Sequence, residues 1–337
     1  MSQVVISIVW LNYNSMKFIN VVKDSLKSIY KISIPLELVV VDNASTDGSF
    51  EKVSSYLYRL KGRGFRVKTI RLSRNLGYTG GNNIGYLNSD PNAKYIAFIN
   101  NDLIVHEGSL EYIISYLDMH KDVGIAQGII YGINNKDVDN AGFMCTETLL
   151  NVPIKTPPKK PLYITYASGG YMVVRRELIS SLGVPFDWDG FIYFDDMPLG
   201  FKAWSMKSRV VSLPVEAGKH VGGASGGVAS EKTVYYIYRG FGILTEASNT
   251  RFRKQLKSLF IKNLPIENGL KNTRLLNVAM RGFIDGLRIG VEKRKQGYLL
   301  DIYSAPLITR YNLLGLLLPN RLLLTYLSSA FHYSQEL

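Results

Sequence analysis

An α/β fold with a mostly parallel central sheet flanked by helices, followed by a helical extension, is what this sequence predicts. Three observations carry that expectation. Short apolar, β-branched runs alternate with amphipathic stretches up to about residue 220, the pattern of βαβ units. Two of the runs stop abruptly in oxygen-bearing side chains, as strands do where they reach a binding edge. Beyond Ser230 the strand signal ends and helical, basic patterns take over, which places a boundary between a 1–228 domain and a 229–337 region. With 46% apolar and 20% charged residues over 337 positions, the chain can bury a large core, and disorder as its main state is excluded.

Strands are expected at 4–10, 36–41, 67–72, 95–99, 125–131, 171–174 and 210–214, each a short run rich in Val, Ile, Phe or Tyr. Between them, 17–30, 50–61, 81–88, 110–120 and 199–207 space apolar residues three and four apart. Leu110, Ile113, Ile114 and Leu117 are the clearest example of such a helix face. Four prolines in 153–161 and four glycines in 222–227 read as loops. In 273–290 the polar residues Arg274, Asn277, Arg281, Asp285 and Arg288 fall on one stripe, while Leu276, Met280, Phe283 and Leu287 occupy other faces. That helix either packs on the first domain with a solvated basic face or meets anionic lipid head groups.

Forty Lys and Arg against 27 Asp and Glu give a net charge of +13, of which +9 lies from residue 231 onward. An anionic membrane surface is therefore a candidate partner, as is a second copy of the chain. No aromatic-basic RNA motif is present, so nucleic acid is not expected. The single cysteine, Cys145, cannot close an intramolecular disulfide, and no Cys/His spacing builds a zinc site. A cytoplasmic protein, peripheral at the inner face of the cell membrane, is the expectation. The first residues lack a basic n-region and a cleavage site, and read as a strand. The most apolar stretch, 313–327, is broken by Pro319, Asn320 and Arg321 and makes a poor membrane span.

The chemistry-bearing residues lie at strand ends. Asp42 closes a buried run and precedes Asn43-Ala-Ser45-Thr46-Asp47, where Asp42 can accept hydrogen bonds from a base or ribose and Asp47 can cap the next helix. Asn100-Asn101-Asp102 closes a second run with three oxygen-bearing side chains, which suit a hard cation such as magnesium or manganese. Between them, Asn75-Leu-Gly77-Tyr-Thr-Gly80-Gly81-Asn82 combines glycines with a helix entry, a place that favours phosphates and sugars.

Taken in order, Asp42, the Asn75–Asn82 turn, Asn100-Asn101-Asp102, Ser168-Gly169-Gly170 and Phe194-Asp195-Asp196 resemble the family 2 glycosyltransferases of the GT-A fold over residues 4 to 225. Among subgroups, the likeness is to rhamnosyl- and galactofuranosyltransferase-like members. The resemblance implies an inverting, hexosyl-type transfer from a nucleotide-diphosphate sugar to a glycan or lipid-linked acceptor, assisted by a divalent metal. Carried over residue by residue, it assigns Asn12, Tyr13, Asp42, Asn75, Gly77, Gly80, Asn82 and Asn101 to the donor. Asp102 and His220 go to the metal, Gly169, Gly170 and Trp188 to the acceptor, Asp196 to the general base and Asp195 to acceptor positioning.

Three positions depart from the family pattern. Asn100 replaces the first acid of the metal motif, Met197-Pro198 and Lys202 stand where a further acid and an arginine are common, and Tyr171 is larger than usual and is expected to narrow the acceptor site. Trp188, Phe191, Tyr193 and Phe194 read equally as a sugar-stacking wall and as core. For the acid pair, the competing reading is a helix N-cap. A nicotinamide-dependent dehydrogenase is disfavoured because the glycine-rich turn follows the third strand, not the first. A sugar-activating nucleotidyltransferase would need a glycine-rich basic loop after the first strand, where Trp10-Leu-Asn-Tyr-Asn stands. A non-catalytic nucleotide-sugar or glycan-binding module is the remaining alternative.

Overall fold

The computed structural model describes residues 4–60, 66–132, 137–221, 230–258 and 273–309. The expected glycine loop at 222–227 and the leucine-rich stretch at 313–327 lie outside them.

The chain begins with the expected alternation: β1 (Ile6–Asn12), α1 (Ile19–Ile29), β2 (Leu36–Asp42), α2 (Ser49–Leu60), β3 (Arg66–Arg71), α3 (Gly77–Leu87) and β4 (Tyr95–Asn100). These four strands are parallel neighbours in the order β3-β2-β1-β4. Then follow β5 (Leu103–Val105), α4 (Ser109–Met119), β6 (Val123–Gly132), β7 (Val138–Asn140), β8 (Phe143–Thr146), β9 (Asn151–Pro153), β10 (Leu162–Tyr163), β11 (Tyr171–Arg175), α5 (Arg176–Leu182), α6 (Asp196–Ser205) and β12 (Arg209–His220). The sheet is mixed, because β11 enters antiparallel between β4 and β6 and β12 runs parallel to β6. Five of these strands, β5 and β7 to β10, have two to four residues and leave no period in the sequence.

Strand alternation divides the core. Ile6, Ile8 and Trp10 face α1, α2 and α4, whereas Val9 joins Ile96 and Phe98 under α3 and α5. Burying each such side chain contributes about 1.5–3 kcal/mol.

The C-terminal region supplies α7 (Glu231–Ala247), α8 (Thr273–Lys295) and a two-residue strand, β13 (Leu307–Ile308), which pairs with β8 although no strand signal was visible there. Leu244, Leu256, Leu300 and Ile302 share one apolar cluster with Tyr166, Met197 and Phe201, so this region packs directly on α6. Leu276, Met280, Phe283 and Leu287 face α7, and Arg274, Arg281 and Arg288 lie exposed. Two of the three arginines are ion-paired, Arg274 with Glu231 and Arg288 with Asp285 at 3.6 Å. Among the described residues, no helix is long and apolar enough to cross a membrane.

Candidate active site

The strand ends of β1 and β2 meet through side chains. Asn12 donates from Nδ2 to Asp42 Oδ1 at 2.8 Å and to the hydroxyls of Ser45 and Ser49 at 3.2 Å. Asp42, fully buried, also accepts the Ser45 amide on Oδ2 at 3.0 Å, and Arg71 Nε lies 3.7 Å from the same oxygen. Asp47 accepts the Ser49 amide at 2.9 Å and so caps α2. Asn43, which the sequence reading passed over, ties this corner to the next one: it donates to Asn75 Oδ1 and to the Gly77 carbonyl, both at 2.9 Å. An acid or amide directly after a strand-end Asp was the available signal.

The glycine-rich segment is placed differently from expectation. α3 starts at Gly77, so Gly80, Gly81 and Asn82 lie inside the helix and not in a turn. A side chain at Gly81 would overlap Leu11, one at Gly85 would overlap Val9, and one at Gly80 would meet Leu76 Cβ at 2.6 Å. Gly81 and Gly85 let α3 lie close on β1 and β2. Asn82 is buried with its amide on the Tyr78 carbonyl at 2.9 Å. Gly80 and Asn82, which the resemblance assigns to the donor, thus lie within the first turns of α3, one against Leu76 and the other bonded to Tyr78. Gly77 does serve a turn, at φ +74°, where a Cβ would overlap the Phe191 carbonyl.

β5 and β12 pair so that His220 stands opposite Leu103, which brings the imidazole to Asp102. His220 Nε2 lies 3.1 Å from Asp102 Oδ1, and its Nδ1 lies 3.3 Å from Asp139 Oδ2. Burial disfavours the charged ring, but the bonds to the two carboxylates outweigh it and push the His220 pKa up to about 9. The His220 contact in turn holds Asp139 below the usual carboxylate range. Asp139 sits in a segment the sequence left unassigned, and only the pairing of β7 with β6 brings it here. Asn101 donates to Asn12 Oδ1 at 3.4 Å, joining this corner to the first.

Asp102 and His220 are the candidate ligands for a divalent cation. Their facing atoms are separated by roughly the 3 Å expected between adjacent ligands of an octahedral ion with 2.1 Å bonds. Asp139 behind the ring fixes its orientation, as carboxylates behind metal-bound histidines do. Among the described residues no group of three or more His, Cys, Asp or Glu has metal-holding geometry, so further ligands would come from water or phosphate, as magnesium sites allow.

The acid pair opens α6. Asp196 accepts the Gly169 amide from Oδ2 and the Met197 amide from Oδ1, both at 3.0 Å. Asp195 occupies the N-cap position, but its side chain makes no capping bond. Gly169-Gly170 links the pair to β4, since Asn100 N donates to the Gly170 carbonyl at 3.0 Å. Tyr78 Oη reaches the Gly169 carbonyl at 2.5 Å, and a side chain at Gly169 would collide with it. Burial raises both carboxyl pKa values, Asp196 to about 6. Asp195 rises well above its ordinary value, first through burial and then through its charged neighbour. Of the two, Asp196 is the one that ionises near neutrality, because two amides and a helix N-terminus stabilise its charge.

Tyr171 does not narrow this cleft. It points into the core on the opposite face, with its hydroxyl 3.1 Å from Ser109 Oγ. Trp188 is half-exposed, whereas Phe191 stacks on Tyr236 of α7 and Phe194 packs in the cluster shared with the C-terminal region. Phe191, Tyr193 and Phe194 all adopt positive φ, between 56° and 67°. Each such bulky residue costs about 1 kcal/mol or more, which the packing around the segment must offset.

Residues 7–183, just over half of the chain, match the family described as Glycosyl transferase family 2. The chain belongs to this family. Solved structures share the architecture of this family 2 chain. S. aureus TarS in complex with UDP-GlcNAc aligns with a TM-score of 0.52 at 20% identity, over 87% of this chain and 92% of that one. GalNAc-T7 with UDP, GalNAc and Mn2+ gives 0.58 at 15% identity, over 89% of this chain and 59% of that one. The mannosyltransferase PcManGT from Pyrobaculum calidifontis, in complex with GDP-Man and Mn2+, gives 0.54 at 16% identity, over 99% and 86%. At these identities the likeness speaks for a shared fold. No curated protein matches the sequence significantly.

Proposed function

We propose that this family 2 chain transfers a hexose-type sugar from a nucleotide-diphosphate donor to a hydroxyl of a glycan or lipid-linked acceptor, inverting the anomeric carbon. The observation that carries the reading is Asp196: a carboxylate with a pKa near 6, held by two backbone amides and joined through Gly169-Gly170 to the strand end that bears Asp102. A base with that pKa is ionised at neutral pH yet still accepts a proton.

In this mechanism Asp196 takes the proton of the acceptor hydroxyl as its oxygen attacks the anomeric carbon. The bond to the diphosphate breaks on the opposite side, and its electron pair leaves with the phosphate. Asp195 stays protonated beside the carboxylate and donates a hydrogen bond that orients the acceptor. Asp42, with Asn12 behind it, receives the nucleoside, while Tyr13, Asn75, Gly77 and Asn101 surround the donor. Asp102 and His220 would hold magnesium or manganese, which when bound supplies positive charge for the departing diphosphate. The complexes of the similar folds with UDP-GlcNAc, GDP-Man and Mn2+ support this donor class and this metal. The motif order keeps rhamnosyl- and galactofuranosyltransferase-like members as the nearest subgroup. The exposed arginines of α8 suit a cytoplasmic enzyme that meets a lipid-linked acceptor at an anionic surface, each adding about 1 kcal/mol where it is not neutralised by a neighbouring acid.

The test is a thermal-shift screen of UDP-, GDP- and dTDP-sugars with and without manganese. A donor at one hundred times its Kd stabilises by about 2.7 kcal/mol. The hit is then assayed for turnover in the wild type, in Asp102→Ala and in excess chelator. No shift with any donor overturns the reading, and full turnover in chelator overturns the metal's part in it. Salt-sensitive flotation with anionic liposomes tests the surface role.

A further inference from the structure

We infer that Lys232, which lies outside the residues matched to the family, is a donor-binding residue whose ammonium holds the diphosphate; the inference rests on the nucleotide-sugar reading above. Lys232, Tyr236 and Arg239 follow one another at helical spacing along one face of α7. Tyr236 stacks on Phe191 with ring centroids 4.4 Å apart and an interplanar angle of 12°. Arg239 donates to the Asp189 carbonyl at 2.6 Å and the Gly190 carbonyl at 3.1 Å. The far side of that segment is bonded to the first turn of α3: Phe191 N donates to Thr79 Oγ1 at 2.9 Å, and Thr79 N to the Phe191 carbonyl at 3.2 Å. α7 is thereby fastened to the 189–191 segment and, through it, to the first turn of α3.

Lys232 is the end of this face that reaches the β1 corner. Its Nζ lies 5.3 Å from the Phe191 ring centroid and 5.8 Å from that of Tyr13. Tyr13 follows Asn12, and Asn12 touches both Asp42 and Asn101, the neighbour of Asp102. The ammonium therefore stands beside the path from the corner proposed for the nucleoside to the corner proposed for the metal, where a diphosphate would run.

Charge accounting points the same way. Lys202 and Lys293, the lysines that reach the 187–195 segment, are both paired with Asp187. Among the described residues, Lys232 has ring faces and no carboxylate at ion-pair distance. The adjacent Glu231 is taken by Arg274. A lysine in the first turn of a helix also sits at the positive end of the dipole, so an anion bound there gains from both. A diphosphate supplies that anion, and its charge rises when the glycosidic bond breaks.

Calorimetric titration of the full chain with UDP and with GDP, in manganese, tests this for the wild type, Lys232→Met and Lys232→Arg. Lys232→Met should weaken binding of the nucleotide that the wild type prefers by roughly tenfold, the loss of one charge-assisted contact. It should also flatten the salt dependence of that affinity, and Lys232→Arg should restore both. Wild-type affinity in Lys232→Met, or an equal loss in the Arg variant, overturns the inference and leaves the nucleotide-sugar reading intact. If the wild type binds neither nucleotide, the reading fails and the inference falls with it.

Discussion

The two sides of the cleft are held together by different forces. On the side proposed for the donor, Asn12, Asp42, Asn43, Ser45 and Asn75 form a net of hydrogen bonds within the first 77 residues, most of them between neutral groups and all close to strand ends. On the side proposed for the acceptor, the 187–195 segment is held by charge. Asp187 binds Lys202 at 2.6 Å and the Tyr298 hydroxyl at 2.5 Å, with Lys293 at 3.6 Å, and Lys293 reaches Asp189 at 3.0 Å. Burial works against ionised Asp187, but Lys202, Lys293 and Tyr298 outweigh it and keep its carboxyl below the usual range. A small cavity of about 20 Å³ between Asp187, Asp195, Leu244 and Tyr298 marks the seam. The first side is preorganised by contiguous motifs, whereas the second depends on lysines and a tyrosine supplied from α6, α8 and the chain after it.

That contrast can be broken one side at a time. The largest effect is expected from Asp196→Asn, which keeps size and most hydrogen bonding but removes the base. Turnover should fall by roughly 10²-fold or more while UDP or GDP affinity stays at the wild-type value. Steady-state kinetics paired with calorimetry reads both, and near-parent turnover would remove Asp196 from the chemistry.

Asp187→Ala leaves two mostly buried lysines without their shared acid, and should cost about 3 kcal/mol of stability, read from denaturant unfolding. Nucleotide affinity should hardly change in the fraction that remains folded. A parallel loss of nucleotide binding would show the two sides to be one unit.

The mirror experiment is Asp42→Ala. It strands the Ser45 N–H and removes the shortest of the three bonds from the Asn12 amide, a loss of about 2 kcal/mol, and should abolish nucleotide binding in calorimetry. If Asp42→Ala bound nucleotide normally, the donor would have to be placed elsewhere.

The smallest effect sharpens the acid pair itself. Because the base works ionised, the rate should fall tenfold per pH unit below about 6, and rise to a plateau above it. Asp195 is still protonated when Asp196 ionises, so Asp195→Asn should leave this acidic limb in place and act mainly on acceptor KM. A limb that moved down by a unit in Asp195→Asn would mean the two acids share their proton differently.

Residue types at strand ends were enough to single out Asp42 and Asn101-Asp102, because neighbouring parallel strands bring their ends to one edge, and Asn12 joins the two ends by bonding both Asp42 and Asn101. The apolar periods likewise located all seven expected strands and the five expected helices, but missed α5. Local pattern could not show that the expected turn at Gly80-Gly81-Asn82 is helix, nor that Gly81 and Gly85 let α3 approach β1. Nor could it reach Asp139, Tyr78 or Lys232, whose roles depend on partners 80 to 220 residues away in the chain. The order of motifs along the chain thus settled the fold class and family. Tertiary packing decided how the acid pair titrates and which glycines lie against a neighbouring strand, since burial and the choice of neighbour exist only once distant segments have met.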